Sequence, residues 1–123
     1  MSGKDRQGTQ QPKGCWIRKE KRLAIYIRDS FSCVYCGKDL RNVTSSEINL
    51  DHLTPKCYGG SNEANNLITA CKSCNCGRGS KAYYEYATKG AVERIETQRY
   101  QPLNIKLATD IIRGYTTYGE EER

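Results

Sequence analysis

Asp51-His52 sets a carboxylate beside an imidazole, and Cys71-Lys72-Ser73-Cys74 runs directly into Asn75. A second CxxC, Cys33-Val34-Tyr35-Cys36, stands upstream. Two CxxC pairs in one small domain are the pattern of a tetrahedral zinc held by four thiolates. Residues 37–70 separate the pairs, a longer gap than a zinc ribbon uses, and Asp51 and His52 lie inside it. A zinc on Cys33, Cys36, Cys71 and Cys74 would clamp both ends of a segment that carries reactive groups. His52 is the only histidine. If a neutral imidazole serves as a general base, it is therefore His52, because imidazole is the side chain that titrates near working pH. The competing role for a lone histidine is packing in a core.

The elements that must position these groups follow from the local pattern. A helix is expected from Trp16 to Asp29, with Leu23 and Ile27 at i and i+4 and Trp16 one heptad before Leu23. Cys33 to Gly37 is expected to form a metal knuckle, with Gly37 free to take positive φ. Ile48–Leu53 reads as a strand, and Asn66–Ile68 as a short second strand. Strict alternation on the first strand would aim Asp51 and His52 at opposite faces, and Pro55 stops the ladder just beyond them. Thr54 to Asn65 is a loop bending at Gly59-Gly60. A site helix is expected from Thr69 as N-cap, carrying Cys71, Cys74 and Asn75 within a turn and ending at Gly77 and Gly79. Cys71 and Cys74 would share one face, with Asn75 rotated about 100° from Cys74. Ser80–Tyr100 looks helical on the stripe Tyr83, Ala87, Ala91, Ile95, with a weak point at Gly90. Leu103–Arg113 is a further amphipathic helix stopped by Gly114.

The order CxxCG, DHxxP, GG, NL, CxxCN and a basic residue with Gly resembles the HNH nucleases, whose fold is a ββα-metal finger. Cys33 to Gly37, Asp51 to Pro55, Gly59-Gly60, Asn66-Leu67, Cys71 to Asn75 and Arg78-Gly79 carry the resemblance, over roughly the middle third of the chain. The third signature position is Asn75 where many members have His. The resemblance implies an α+β fold: a small ββα-metal finger stapled by a four-cysteine zinc site, with flanking helices. It implies a metal-dependent endonuclease that hydrolyses DNA phosphodiesters to 5′-phosphate and 3′-hydroxyl ends. His52 would activate water, and Asp51 and Asn75 would hold one divalent ion. Asn66 would orient His52 through the backbone around it. Because Asn75 offers oxygen rather than imidazole nitrogen, Mg²⁺ or Mn²⁺ is the expected catalytic ion. Small free-standing members resemble nucleases of phages and mobile elements, some tied to genome packaging, which suggests packaging or other nucleic-acid-processing proteins as partners. The rival reading is a zinc-stabilised nucleic-acid-binding module without catalysis.

The 123 residues suit one domain, expected as a basic tail at 1–14 without fixed structure, a nuclease domain at 15–113 with its core at 33–81, and an acidic tail at 114–123. Hydrophobic content is 37% and the chain has one Phe and one Trp, so a modest core would need a metal staple. No apolar run approaches a membrane span and no signal-peptide core is present, which points to the cytoplasm. Seven cysteines in a reducing compartment favour metal over disulfides. Cys15, Cys57 and Cys76 are left over and read as free thiols, with Cys76 turned away from the zinc. The net charge is +6, and residues 1–29 hold eight basic groups against three acidic ones. Such a balance either solubilises a small protein or attracts a polyanion. The residues expected to meet DNA are Arg18, Lys19, Arg22, Lys56, Arg78 and Lys81.

Overall fold

The computed structural model describes residues 17–118, together with two short strands, β1 (Gly3–Lys4) and β2 (Arg6–Gln7), that pair in parallel. Apart from those strands, the expected tail at 1–14 lies outside the described residues, as do Cys15, Trp16 and the acidic run at 120–122.

The first helix, α1, spans Lys19–Arg28, so the helix is described from Lys19 rather than Trp16. Glu20 in its first turn and Arg28 in its last complement the helix dipole. Its buried residues are Ala24, Ile25 and Tyr26 rather than the expected Leu23 and Ile27 stripe. Packing explains the difference: α1 has β4 on one side and α5 on another, so two faces are covered rather than one. The chain leaves α1 through Asp29 and through Ser30 and Phe31, both at positive φ.

A two-stranded antiparallel sheet follows. Strand β3 (Ile48–His52) pairs with β4 (Leu67–Cys71) in the register Ile48 to Cys71 and His52 to Leu67. The second strand is longer than the expected Asn66–Ile68. Thr69, expected as a helix cap, is a fully buried strand residue. All five residues of β4 are buried. A strand covered on both faces favours a continuous run such as Leu67-Ile68-Thr69-Ala70, which alternation cannot distinguish from a short helix. The cap role passes to Cys71, whose sulfur accepts from the Cys74 N–H at 3.4 Å and opens α2 (Lys72–Arg78). Gly79, at φ +54, closes that helix.

The expected long helix over residues 80–100 is two helices, α3 (Tyr83–Tyr86) and α4 (Lys89–Gln98). The break falls at Ala87-Thr88, not at Gly90, because the Thr88 hydroxyl accepts from the Ala91 N–H at 3.1 Å and starts a new helix. The last helix, α5 (Ile105–Ile112), is capped by Asn104 and ends before Gly114 at φ +84.

Two arginines join these pieces, Arg28 with its side chain buried and Arg94 from an exposed position. Arg28 donates to Asp29 through Nε at 2.8 Å, and to the carbonyls of Ala64 and Leu67 at 3.0 and 2.7 Å. Asp29 in turn accepts from the Thr69 N–H at 2.9 Å, which fixes the end of α1 to the middle of β4. Arg94 on α4 donates to the carbonyls of Val34 and Tyr35 at 3.1 and 3.0 Å, which ties the first CxxC to α4, while the Val34 N–H donates to the Thr69 carbonyl of β4 at 3.0 Å. The core itself gathers Leu40, Leu53, Ile68, Ala70 and Ile95 around three of the four CxxC cysteines. Thus the expected α+β fold, a hairpin and helix with flanking helices, is the one observed.

Candidate functional site

The two CxxC pairs meet. The sulfurs of Cys33, Cys36, Cys71 and Cys74 all lie within 4.8 Å of one another. A tetrahedron with ~2.3 Å zinc–sulfur arms has edges of about 3.8 Å, and the Cys36 and Cys71 sulfurs are 3.9 Å apart. The residues present therefore fit a four-coordinate ion. Among the described residues this is the one group of three or more Cys, His, Asp or Glu side chains placed to hold a metal. The knuckle is tight: the Gly37 N–H donates to the Cys33 carbonyl at 2.7 Å, with Gly37 at φ +81. Burial pushes the Cys33 thiol up, and pushes Cys74 up to about 12. Burial also opposes the Cys71 thiolate, but the Cys74 N–H and the neighbouring thiols outweigh it, and Cys71 is lowered. Cys57 and Cys76 are exposed and stand apart from the cluster.

Tyr35 reaches from inside the first CxxC to the reactive strand. Its hydroxyl donates to Asp51 Oδ2 at 2.5 Å, and its ring meets Tyr86 edge-on with centroids 5.3 Å apart. Burial, then the Asp51 charge and hydrogen bond, raise the Tyr35 phenol well above its ordinary range, so it stays a donor. Arg78 completes the network. Its Nη1 lies 2.9 and 3.0 Å from the two Asp51 oxygens and 2.9 Å from the His52 carbonyl. Its Nη2 donates to the Leu53 carbonyl, and its Nε to the Lys81 carbonyl, both at 2.8 Å. Arg78 is 2% exposed. It was expected at the surface against phosphate. Instead every guanidinium nitrogen is used inside, tying α2 to the end of β3.

Alternation separates Asp51 and His52 as the period of a strand requires. Asp51 is buried, while His52 is half-buried on the other face. His52 Nε2 lies 2.8 Å from Asn62 Oδ1, so Asn62 accepts from the ring when Nε2 carries the proton. Lys21 of α1 donates to the Asn62 carbonyl, which links the basic helix to the loop beside His52. Sequence patterning does not single out Asn62: it sits among polar loop residues, and Asn65 and Asn66 are its near neighbours.

Asn66 holds the loop itself. Its side chain accepts from the Thr54 N–H at 2.8 Å and donates to the Thr54 and Ser61 carbonyls at 3.0 and 2.8 Å. The loop closes because Gly60 packs on the Thr54 carbonyl, where a Cβ would fall 1.7 Å from that oxygen. Only glycine fits that approach. Asn75 is half-buried on α2, between the metal cluster and Arg78 in sequence. Arg18, Lys19 and Arg22 are exposed on or beside α1, and Lys56 and Lys81 are exposed near the site loops.

Fold and site together describe a small α+β module: a four-cysteine cluster, placed to hold a metal, lies against a hairpin that presents one histidine. Residues 33–85 match the model of a family described as HNH endonuclease, the family that the motif order resembles. The chain is also 28% identical over 72 residues to the CRISPR-associated endonuclease Cas9 of Corynebacterium diphtheriae. That alignment covers 58% of this chain and 6% of the Cas9 chain. No solved structure matches the chain. The family match suggests a nuclease. No helix among the described residues is long and apolar enough to cross a membrane.

Proposed function

We propose that the chain is a metal-dependent HNH endonuclease that hydrolyses DNA phosphodiester bonds. The observation that carries this reading is His52. It lies half-buried at the end of β3, with a partner on its ring and its carbonyl fixed by Arg78, inside the segment that matches the nuclease family. A histidine oriented in this way can take a proton from water at working pH. The four cysteines hold zinc, which orders the module and takes no part in the reaction. A reducing compartment such as the cytoplasm keeps those thiols available.

Asp51 and Asn75 are the residues that would hold the catalytic divalent ion, Mg²⁺ or Mn²⁺. Asp51 Oδ2 already accepts from Tyr35 and Arg78, while Oδ1 accepts from Arg78 alone. With about two lone-pair sites per oxygen, Oδ1 has one position left. Such an ion would neutralise charge on the phosphate and the leaving oxygen. The Arg78 cation beside Asp51 disfavours a second positive charge, so the ion is held weakly and its shell is completed by water and phosphate. Exposed Arg18, Lys19, Arg22, Lys56 and Lys81 attract the DNA backbone, and affinity falls steeply as salt rises.

The engagement of Asp51 by Tyr35 and Arg78, which leaves a single open position on its carboxylate, also favours a second reading, a zinc-stabilised DNA-binding module without catalysis. A plasmid-nicking assay with added Mg²⁺ or Mn²⁺ separates the two. Metal-dependent nicking lost in His52→Ala supports the nuclease. DNA binding without nicking in any divalent metal supports the module.

A further inference from the structure

The two segments that leave the candidate site wall a cavity of about 250 Å³. Leu53, Thr54 and Pro55, directly after His52, line one part of it together with Tyr58. Arg78 and the stretch that follows it to Tyr84 line the rest. Drug-sized ligands occupy roughly 300–1,000 Å³, so this cavity suits one planar ring system. Two exposed tyrosines border it, Tyr58 at 70% and Tyr84 at 64% exposure. Neither is needed for the core. Tyr84 is nonetheless braced: its ring meets Tyr83 edge-on, with centroids 5.4 Å apart, and the Tyr83 hydroxyl is held by Glu96 and by Arg99 Nη1 at 3.4 Å. Exposed Lys81 adds a positive charge to the lining, and Thr54 and Ser80 add hydroxyls.

We propose that this cavity binds an unpaired nucleobase of the DNA strand next to the cleaved bond, with Tyr58 and Tyr84 stacking on the base and Lys81 meeting an adjacent phosphate. The proposal rests on the reading that DNA is the substrate, and it adds a preference for single-stranded or locally opened DNA. In a closed duplex the faces of each base are already stacked on neighbours, so two tyrosines have no free face to meet. An unpaired base supplies one, whatever its sequence. Arg78 ties the two walls together: it holds the His52 and Leu53 carbonyls on one side and the Lys81 carbonyl on the other.

The test compares a fluorescent oligothymidine strand with an abasic strand of equal length and phosphate count, binding to the zinc-loaded protein without added divalent ions. The oligothymidine should bind more tightly. Tyr58→Ala and Tyr84→Ala should each weaken it roughly 5- to 150-fold, the usual span for one base–aromatic stack, toward the abasic value. Tyr84→Phe should retain the affinity, and Tyr115→Ala, at another exposed tyrosine, should not change it. Unchanged zinc content and melting temperature verify that each variant is folded. Equal binding of both strands by the wild type overturns the proposal, as does unchanged binding by both alanine variants. A chain that binds bases through these tyrosines but never nicks DNA refutes the nuclease and keeps the pocket. A chain that nicks DNA with neither tyrosine affecting base binding keeps the nuclease and refutes the pocket.

Discussion

Arg78 Nη1 sits 2.9 Å from Asp51 Oδ1 and 3.0 Å from Oδ2, with the arginine side chain 2% exposed. The pair joins the end of the site helix to the strand residue beside the only histidine. Removing one partner of a buried pair costs about 3–5 kcal/mol, because the other charge is left without compensation. Arg78→Ala should therefore lower the melting temperature by more than about 10 °C, given ~4–8 °C per kcal/mol in a domain of this size. Arg78→Lys should recover little, since an ammonium cannot reach the carboxylate and three carbonyls in one plane. A thermal melt of Arg78→Ala within a few degrees of wild type would contradict this role.

The cysteine cluster should bind zinc more tightly as pH rises. Burial holds Cys33 up and Cys74 at about 12, so the metal-free site keeps protons at neutral pH. Metal uptake expels those protons, and acidification therefore opposes it. Elemental analysis of protein dialysed across a pH series should show zinc retained at neutral pH and lost on acidification. Cys33→Ser should unfold or aggregate, since structural zinc contributes on the order of 10 kcal/mol of apparent binding energy. Native protein without tightly held metal would refute the site.

Asn62→Ala should slow single-turnover cleavage by roughly 2- to 10-fold, the equivalent of a net hydrogen bond of ~0.5–1.5 kcal/mol. The melting temperature and DNA affinity should be nearly unchanged. Asn62→Asp keeps an acceptor for the ring and should retain more activity than Asn62→Ala. Equal loss in both variants would show that the contact with His52 does not depend on its acceptor.

The catalytic ion should be Mg²⁺ or Mn²⁺ at millimolar order, as expected of a site with a single carboxylate. Asn75→His should shift preference toward Zn²⁺ or Ni²⁺, because imidazole nitrogen suits transition ions. Asn75→Ala should abolish cutting while the four-cysteine zinc remains. A wild-type protein that prefers Zn²⁺ or Ni²⁺ over Mg²⁺ and Mn²⁺ would contradict the assignment of Asp51 and Asn75.

The spacing of the cysteines was enough to bring Cys33, Cys36, Cys71 and Cys74 together, since ligand pairs at i and i+3 carry their own geometry. The opposition of Asp51 and His52 was likewise legible from strand period alone. Thr69 was misread because a strand buried on both faces loses its alternation, and a threonine before Cys71 looks like a helix cap. Arg78 was misread because a basic residue in a signature is taken for a surface cation. Its burial depends on Tyr35 and Asp51, distant in sequence. The contact of Asn62 with His52 depends on how the loop after β3 folds back, and the tyrosine-lined cavity on that loop meeting the segment from Arg78 to Tyr84, neither of which local periodicity encodes.

The central claim, that His52 activates water for phosphodiester hydrolysis, is tested most directly by plasmid nicking with wild type and His52→Ala, both zinc-loaded and supplied with Mg²⁺ or Mn²⁺. The wild type should nick. His52→Ala should keep zinc, melting temperature and DNA affinity while its cleavage rate falls by roughly 10²–10⁴, the usual contribution of a general base. Near-normal cleavage by His52→Ala would contradict the account, since the chain holds no other histidine to replace it.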